Sequence, residues 1–220
     1  MTAREPIGDH DLRLVAGAWP DDLGGELFVT TSEQATAGRH AFFGDGVLVR
    51  LSLEPGSFGA APDRWALRSK VLDTPSRRLR ERTPEVFESG AYGTSSPYGP
   101  VNAANTAPLP WGDRLFATWD AGRPVEVDPV SLSFLGEVGH RTCWPTFGDS
   151  PVLPFVTSSA HPVVDPERDV VWTVAYDPIT QQSTVLRYRG EGAHVDAWPV
   201  AGGLIPQSMH TITQTREWLV

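Results

Sequence analysis

Cysteine is almost missing from this chain. Cys143 is the one thiol among 220 residues, so no disulfide can form within it, and a reducing, cytoplasmic setting fits better than an oxidising one. A zinc site built from several cysteines is excluded by the same count, and Cys143, followed by Trp144-Pro145 and lacking any motif, reads as a small buried or half-buried residue. Positive charge is also scarce: 18 Lys and Arg stand against 27 Asp and Glu, for a net charge of −9. No basic stripe exists to neutralise phosphates, which argues against nucleic-acid binding. The one cationic run, Arg77-Arg78-Leu79-Arg80-Glu81-Arg82, is broken by an acid and reads as solvated surface. Long apolar runs are absent too. No stretch approaches 18 apolar residues, and Met1 to Leu14 is polar and charged, so neither a transmembrane helix nor a signal peptide is expected. There is no Gly-x-Gly-x-x-Gly, no P-loop and no Gly-x-Ser-x-Gly elbow, which leaves nucleotide use and serine hydrolysis unsupported; Ser158-Ser159 beside His161 suggests a hydrolase only loosely.

Turn formers are plentiful: 21 Gly and 20 Pro interrupt the chain every few positions, leaving little room for helices. The expected class is all-β, in one domain spanning 1–220. Strand-like runs lie at Gly25–Thr30, Val47–Leu53, Arg64–Leu72, Arg114–Trp119, Val125–Pro129 and Val170–Tyr176. The alternation in Val47-Leu48-Val49-Arg50-Leu51 marks a strand with one buried face, and Gly44-Asp45-Gly46 before it suits a tight hairpin turn. The one helical segment expected is short, around Arg78 to Val86, with Pro84 intruding. Asp128-Pro129, Asp165-Pro166 and Asp177-Pro178 each close a strand in the same manner. This weak internal repeat of hairpins favours a propeller over a sandwich.

Two histidines stand at strand edges among small and polar residues: His161 in Thr157-Ser158-Ser159-Ala160-His161-Pro162, and His210 in Ser208-Met209-His210-Thr211. Strand-like runs follow both, Val170–Tyr176 and Glu217–Val220. Neutral imidazole is a common ligand for divalent iron, copper or zinc. The pair is separated by roughly 50 residues, about one propeller blade and far too long for a local metal clip. By itself, a histidine before proline is most often a surface or cap residue. His10, His40, His140 and His194 lie in polar or Gly-rich surroundings and default to exposed loops. Asp120 could be a turn residue capping Ala121-Gly122 or an acceptor for a ligand histidine. Trp144, Phe147 and Phe155, just upstream of His161, are the candidates for contact with a flat apolar substrate, although large aromatics are first of all core material.

Six segments in order resemble the carotenoid cleavage oxygenases and their stilbene-cleaving relatives. Pro20-Asp21-Asp22-Leu23-Gly24-Gly25-Glu26-Leu27-Phe28 looks like that family's opening strand. His40-Ala41-Phe42-Phe43-Gly44-Asp45-Gly46-Val47 is similar to its His-x-Phe-Asp-Gly-Asp-Gly-Met hairpin, with Phe43 in place of the first Asp. Asn102-Ala103-Ala104-Asn105-Thr106, followed by Gly112-Asp113-Arg114-Leu115, resembles its Asn-Thr segment and the next strand. Asp120 to Pro129 is similar to its Glu-x-Gly-x-Pro-x-Glu-Leu-Asp-Pro stretch. Ala160-His161-Pro162-x-x-Asp165-Pro166 resembles the most specific motif, around the first iron ligand, and Met209-His210 with Thr215 the segment of the second.

The resemblance implies a seven-bladed propeller, present here as its N-terminal portion, that holds a non-haem Fe2+ through four histidines. It implies an O2-dependent dioxygenase that splits a conjugated C=C bond of a carotenoid, apocarotenoid or stilbene-like olefin into carbonyl products, with peripheral membrane contact for substrate uptake. His161 and His210 match the first and second metal ligands, and Asp120 matches a glutamate that accepts the outer N–H of a ligand histidine. The chain departs from the family at His210-Thr211-Ile212-Thr213, where the family has an acid directly after the ligand, and at Val220, where it stops before the third and fourth ligands are expected. The alternatives are an inactive truncated half-propeller and an unrelated metal-dependent propeller hydrolase.

Overall fold

The computed structural model describes residues 8–33, 44–85, 99–146, 155–177, 179–190, 194–201 and 210–220, with 95–96 added and with 95–96 and 99–100 as backbone only. Three four-stranded antiparallel sheets dominate. The first has the order β1 (His10–Leu12), β4 (Trp65–Val71), β3 (Gly46–Ser52), β2 (Glu26–Ser32); its last three strands form a meander, and β1 joins from the N-terminal side. The second is the meander β7 (Ala107–Trp111), β8 (Arg114–Thr118), β9 (Val125–Val127), β10 (Phe134–Glu137). The third is β11 (Val163–Asp165), β12 (Val170–Asp177), β13 (Gln182–Tyr188), β14 (Val195–Pro199). Four-stranded sheets of this kind are the unit that β-propellers repeat. Between the first two sheets lie a helix, α1 (Pro75–Arg82), and a two-residue pair of strands, β5 (Ser95–Ser96) with β6 (Gly99–Pro100).

The Asp-Pro repeat has a backbone explanation. In each hairpin the aspartate carboxylate accepts amides just downstream: Asp128 those of Val130 and Ser131, Asp165 that of Arg168, Asp177 those of Ile179 and Thr180. The residue four places after each aspartate is left-handed: Leu132 at φ 55°, Asp169 at 54°, Gln181 at 56°. The three hairpins are thus one turn design used three times, with the aspartate satisfying amides that the turn leaves over. For Leu132 the left-handed backbone costs about 1–2 kcal/mol, and its side chain is fully buried, which offsets that cost.

Strand β8 shows how alternation builds the stack. Leu115 and Ala117 point to one face, joining Leu48, Leu72, Ala104, Val125, Val127 and Leu132 in a core against the first sheet. Phe116 points to the other, joining Val138, Trp144, Val156, Val171, Ala175, Leu186 and Tyr188 in a core against the third. The second sheet is therefore buried on both faces, as a central blade must be. Polar ties run along the same seams: Lys70 Nζ donates to Ser133 Oγ at 2.8 Å, and Trp111 Nε1 to Asp169 Oδ1 at 2.9 Å.

β3 has one fully buried face, as its alternation implies: Gly46, Leu48, Arg50 and Ser52 are buried, whereas Val49 and Leu51 on the other face are only partly so. Arg50 is accommodated on the buried face by a bidentate pair with Glu26 (2.7 and 3.1 Å) and by the Phe58 ring 3.9 Å away. Three expectations are corrected. Gly44-Asp45-Gly46 is not the tight turn, since β2 and β3 pair Ser32 with Gly46 and the connection spans 33–45. Gly46 is needed instead for close approach: a Cβ there would lie 2.3 Å from the Ala104 carbonyl oxygen. The helix begins earlier than expected and ends at Arg82, because Thr74 caps it by accepting the Arg77 amide and Pro75 takes its first turn. Glu217–Val220 is not a regular strand; it folds back as a small hairpin in which Thr213 and Val220 exchange backbone bonds of 2.9 Å, so that edge is paired.

Phe116 carries the interface between the second and third sheets. Phe116→Ala is expected to cost about 3–5 kcal/mol, read as a lowered midpoint in urea unfolding.

Candidate functional site

The site is assembled from three segments that are far apart in sequence. The first follows β8. Thr118 ends that strand fully buried, with its hydroxyl against the carbonyl oxygens of Ala107 and Ala160. The chain then turns through Trp119 and Asp120, and Gly122 is required at the bend because a Cβ there would lie 2.7 Å from Asn102 Nδ2. Asn102, buried, donates to the Arg123 carbonyl at 2.6 Å and accepts the Ala104 amide at 2.9 Å, fixing the far side of the turn.

The second segment is Ser158–His161, leading into β11. The Ser158 hydroxyl is shared by the carbonyls of Trp119 (3.1 Å) and Gly122 (2.8 Å), its amide donates to the Asp120 carbonyl at 3.2 Å, and the Ala160 amide donates to Asp120 Oδ1 at 3.1 Å. Ser158 and Ser159 thus spend their hydroxyls on backbone carbonyls, which disposes of the loose serine-hydrolase reading.

The third segment begins at His210. It lies parallel to the second, bridged at His161 and Thr211, with the His161 amide donating to the His210 carbonyl at 3.0 Å. Four residues beyond each histidine a second tie closes the pair: Gln214 Nε2 donates to Asp165 Oδ2 at 2.9 Å, and Arg168 pairs with the same carboxylate oxygen at 2.6 Å.

These ties bring the two imidazoles together edge to face, with ring centroids 4.9 Å apart. His210 Nδ1 meets Asp120 Oδ2 at 2.9 Å. Asp120 therefore acts across the fold, and its carboxylate bonds go to Ala160 and His210. In a neutral ring, a carboxylate on Nδ1 sets the tautomer, with the proton on that nitrogen and Nε2 as the outward lone pair. Burial, then the neighbouring His210, lowers the pKa of His161 below the ordinary histidine value, with Asp120 opposing. The His161 ring is thereby biased to neutrality, the form that donates to a metal. The His210 side chain is 55% exposed, so the pair opens to solvent. Among the described residues no group of three or more His, Cys, Asp and Glu side chains is arranged to hold a metal ion. The described residues offer two imidazoles and one outer carboxylate.

Other described histidines and aromatics lie elsewhere. His140 caps a short 3-10 turn, and His194 pairs with Asp196 at 3.0 Å on an exposed strand end. Trp144, read from the sequence as a substrate contact, is packed in the core between the second and third sheets; it donates Nε1 to the Val138 carbonyl at 3.1 Å and leans on Tyr188 with centroids 4.9 Å apart. Its ring is committed to packing. Phe155 is half-buried, and Phe147 and His40 lie outside the described residues.

Residues 2–220 match the family described as retinal pigment epithelial membrane protein, RPE65. The chain belongs to that family, the carotenoid cleavage oxygenases. Among its curated relatives, apocarotenoid-15,15'-oxygenase of Synechocystis is 28% identical over 141 residues, 58% of this chain and 28% of that protein. Carotenoid cleavage dioxygenase 7 of Oryza sativa subsp. japonica, chloroplastic, is 30% identical over 144 residues, 60% of this chain and 23% of that one. The fold matches that of solved family members. Lignostilbene dioxygenase of Pseudomonas brassicacearum superposes with a TM-score of 0.67 at 17% identity, covering 97% of this chain and 43% of that one. Cobalt-substituted apocarotenoid oxygenase of Synechocystis gives 0.65 at 23%, covering 94% and 44%. The chain thus spans a little under half the length of the carotenoid oxygenase structures it matches. No helix among the described residues is long and apolar enough to cross a membrane.

Sequence reading did not find the hydroxyls of Thr118, Ser159 and Thr173, nor the Asp165–Gln214 tie. The only signal was the run of small polar residues around each histidine.

The Asp165 tie predicts an acid-side effect. Arg168 foremost, then Gln214, hold its carboxyl down at about 2, below the 3.8 of a free aspartate. The unfolded chain therefore takes up the proton first, and the stability present above about pH 4 is lost as pH falls towards 2. Unfolding midpoints measured from pH 5 to 2 should drop in the native chain, and Asp165→Asn should start lower and show less of that drop.

Proposed function

We propose that this chain forms part of an Fe2+-dependent oxygenase that uses O2 to cleave a conjugated C=C bond of a carotenoid, apocarotenoid or stilbene-like olefin. His161 and His210 supply two imidazole donors to the metal, and Asp120 is the outer acceptor. Family membership supports the reaction class. The observation that carries the residue assignment is the convergence of two imidazoles with Asp120 on the outer nitrogen of one. The donor set suits the ion: neutral imidazole is an ordinary ligand for divalent iron, and an outer carboxylate on Nδ1 is the usual way of orienting such a ligand.

When bound, the metal supplies a centre for binding and activating O2. The work of this chain is to hold its donors ready. Asp120 keeps the His210 proton on Nδ1, so that Nε2 stays available without loss of a proton. Being one methylene shorter than a glutamate, Asp120 reaches the ring because the Ala160 amide and the Ser158 bonds draw its turn towards the His161 segment. The partial burial of His161 lowers its pKa and so favours the neutral ring. Two donors leave a metal incompletely held, and further ligands come from outside the described residues of this chain.

The experiment is an anaerobic Co2+ titration followed by visible absorbance, then Fe2+ loading and exposure to an apocarotenal or a stilbene under O2. Cobalt uptake is expected, abolished by His161→Ala and by His210→Ala, and weakened about 10-fold by Asp120→Asn. Carbonyl fragments of the olefin are expected only with iron and O2. Cobalt binding indifferent to His161→Ala would remove the assignment. Cleavage that persists without metal would remove the reaction class.

A further inference from the structure

Several hydroxyls surround the two histidines, and one makes contacts that the others do not. Ser158 holds the turn around Asp120, Thr118 lies against the carbonyls of Ala107 and Ala160, and Thr157 accepts the amide of Tyr176 and donates to its carbonyl (3.0 and 2.9 Å). Ser159 touches the backbones of both histidines. It is fully buried; its Oγ donates to the His210 carbonyl at 2.7 Å and accepts the His161 amide at 3.3 Å, while that amide also reaches the His210 carbonyl at 3.0 Å. The Ser159 amide in turn donates to Thr173 Oγ1 at 2.9 Å, which anchors the arrangement to the central strand β12.

Among the described residues the two histidine segments share one isolated bridge, His161 with Thr211, and the Gln214–Asp165 tie four residues further on, and no long ladder. Few bonds therefore decide how one backbone lies on the other. Metal sites are intolerant of such freedom, since ligand distances must hold to a few tenths of an ångström. We propose that Ser159 is a positioning residue: its hydroxyl bridge sets the spacing and mutual angle of the His161 and His210 imidazoles, and through them the affinity of the pair for a divalent metal. The proposal rests on reading the pair as metal ligands. It assigns Ser159 no contact with substrate.

The test compares the native chain, Ser159→Ala and Thr157→Val. Thr157 is the control because it sits in the same segment, and its hydroxyl bonds to Tyr176 and to neither histidine. Three quantities are read: thermal midpoint without metal, Co2+ affinity with the visible spectrum of the complex, and hydrogen exchange at the His161 amide. Both variants should lose some thermal stability. Only Ser159→Ala should bind cobalt about 10-fold more weakly, with a shifted spectrum and faster exchange at His161. Cobalt affinity and His161 exchange no different from those of Thr157→Val would overturn the proposal. If the native chain takes up no cobalt, the ligand reading falls and the metal clause with it, and exchange alone then decides whether the hydroxyl couples the two backbones. Should Ser159→Ala fail to fold, Ser159→Cys keeps a weaker donor in nearly the same volume; intermediate affinity supports the bridge, and native affinity refutes it.

Discussion

The contact on which this molecule's site depends is the seating of Ser158–His161 between the Asp120 turn and the His210 segment. On one side its amides and hydroxyl hold the Asp120 turn; on the other, Ser159 and the His161 amide hold the His210 carbonyl. Without either clamp the Asp120–His210 hydrogen bond would have to span three loops held only by the more distant Thr118–Ala160, Ser159–Thr173 and Asp165–Gln214 ties. Each loop taken singly is polar backbone that water could satisfy equally well. Joined, they bury their polar groups against one another, and a partly satisfied network would be worse than none.

That clamp is affordable because the sheets behind it are rigid. β8 distributes its side chains to two cores, so the strand that launches Asp120 is held from both faces. β12 supplies Thr173 from within the third sheet, where Thr173 is itself fully buried. The left-handed residues of the three Asp-Pro hairpins show the same economy: local strain is accepted where packing or an aspartate cap compensates for it. Strand ends then arrive where the site needs them, and the loops that carry chemistry remain short.

Much of the fold was legible from local chemistry. Turn residues and alternation located about half of the strands of the three sheets, and the Asp-Pro pattern marked hairpins that turn out to share one backbone design. The misreadings came from tertiary context. Alternation in β3 did not say that its buried face would carry a charge; Arg50 lies there because Glu26 and Phe58 complete it. Gly44-Asp45-Gly46 looked like a turn, and Gly46 is instead a point where two backbones nearly touch. Trp144, read both as a candidate contact and as core material, packs in the core, and an aromatic beside a motif carries no sign of which way it faces.

By itself the sequence determined the class of the fold, the absence of a disulfide within the chain, the two histidines worth attention and the turns between strands. These follow from residue type and short-range spacing, which act over a few positions of chain. Only the tertiary structure decided that Asp120 serves His210 and not its own turn, and that Ser159 joins two histidine backbones. Those partners lie 90 and 51 residues apart. No local pattern encodes such pairings, because they arise only once three sheets have packed and their loops have been brought to the same place.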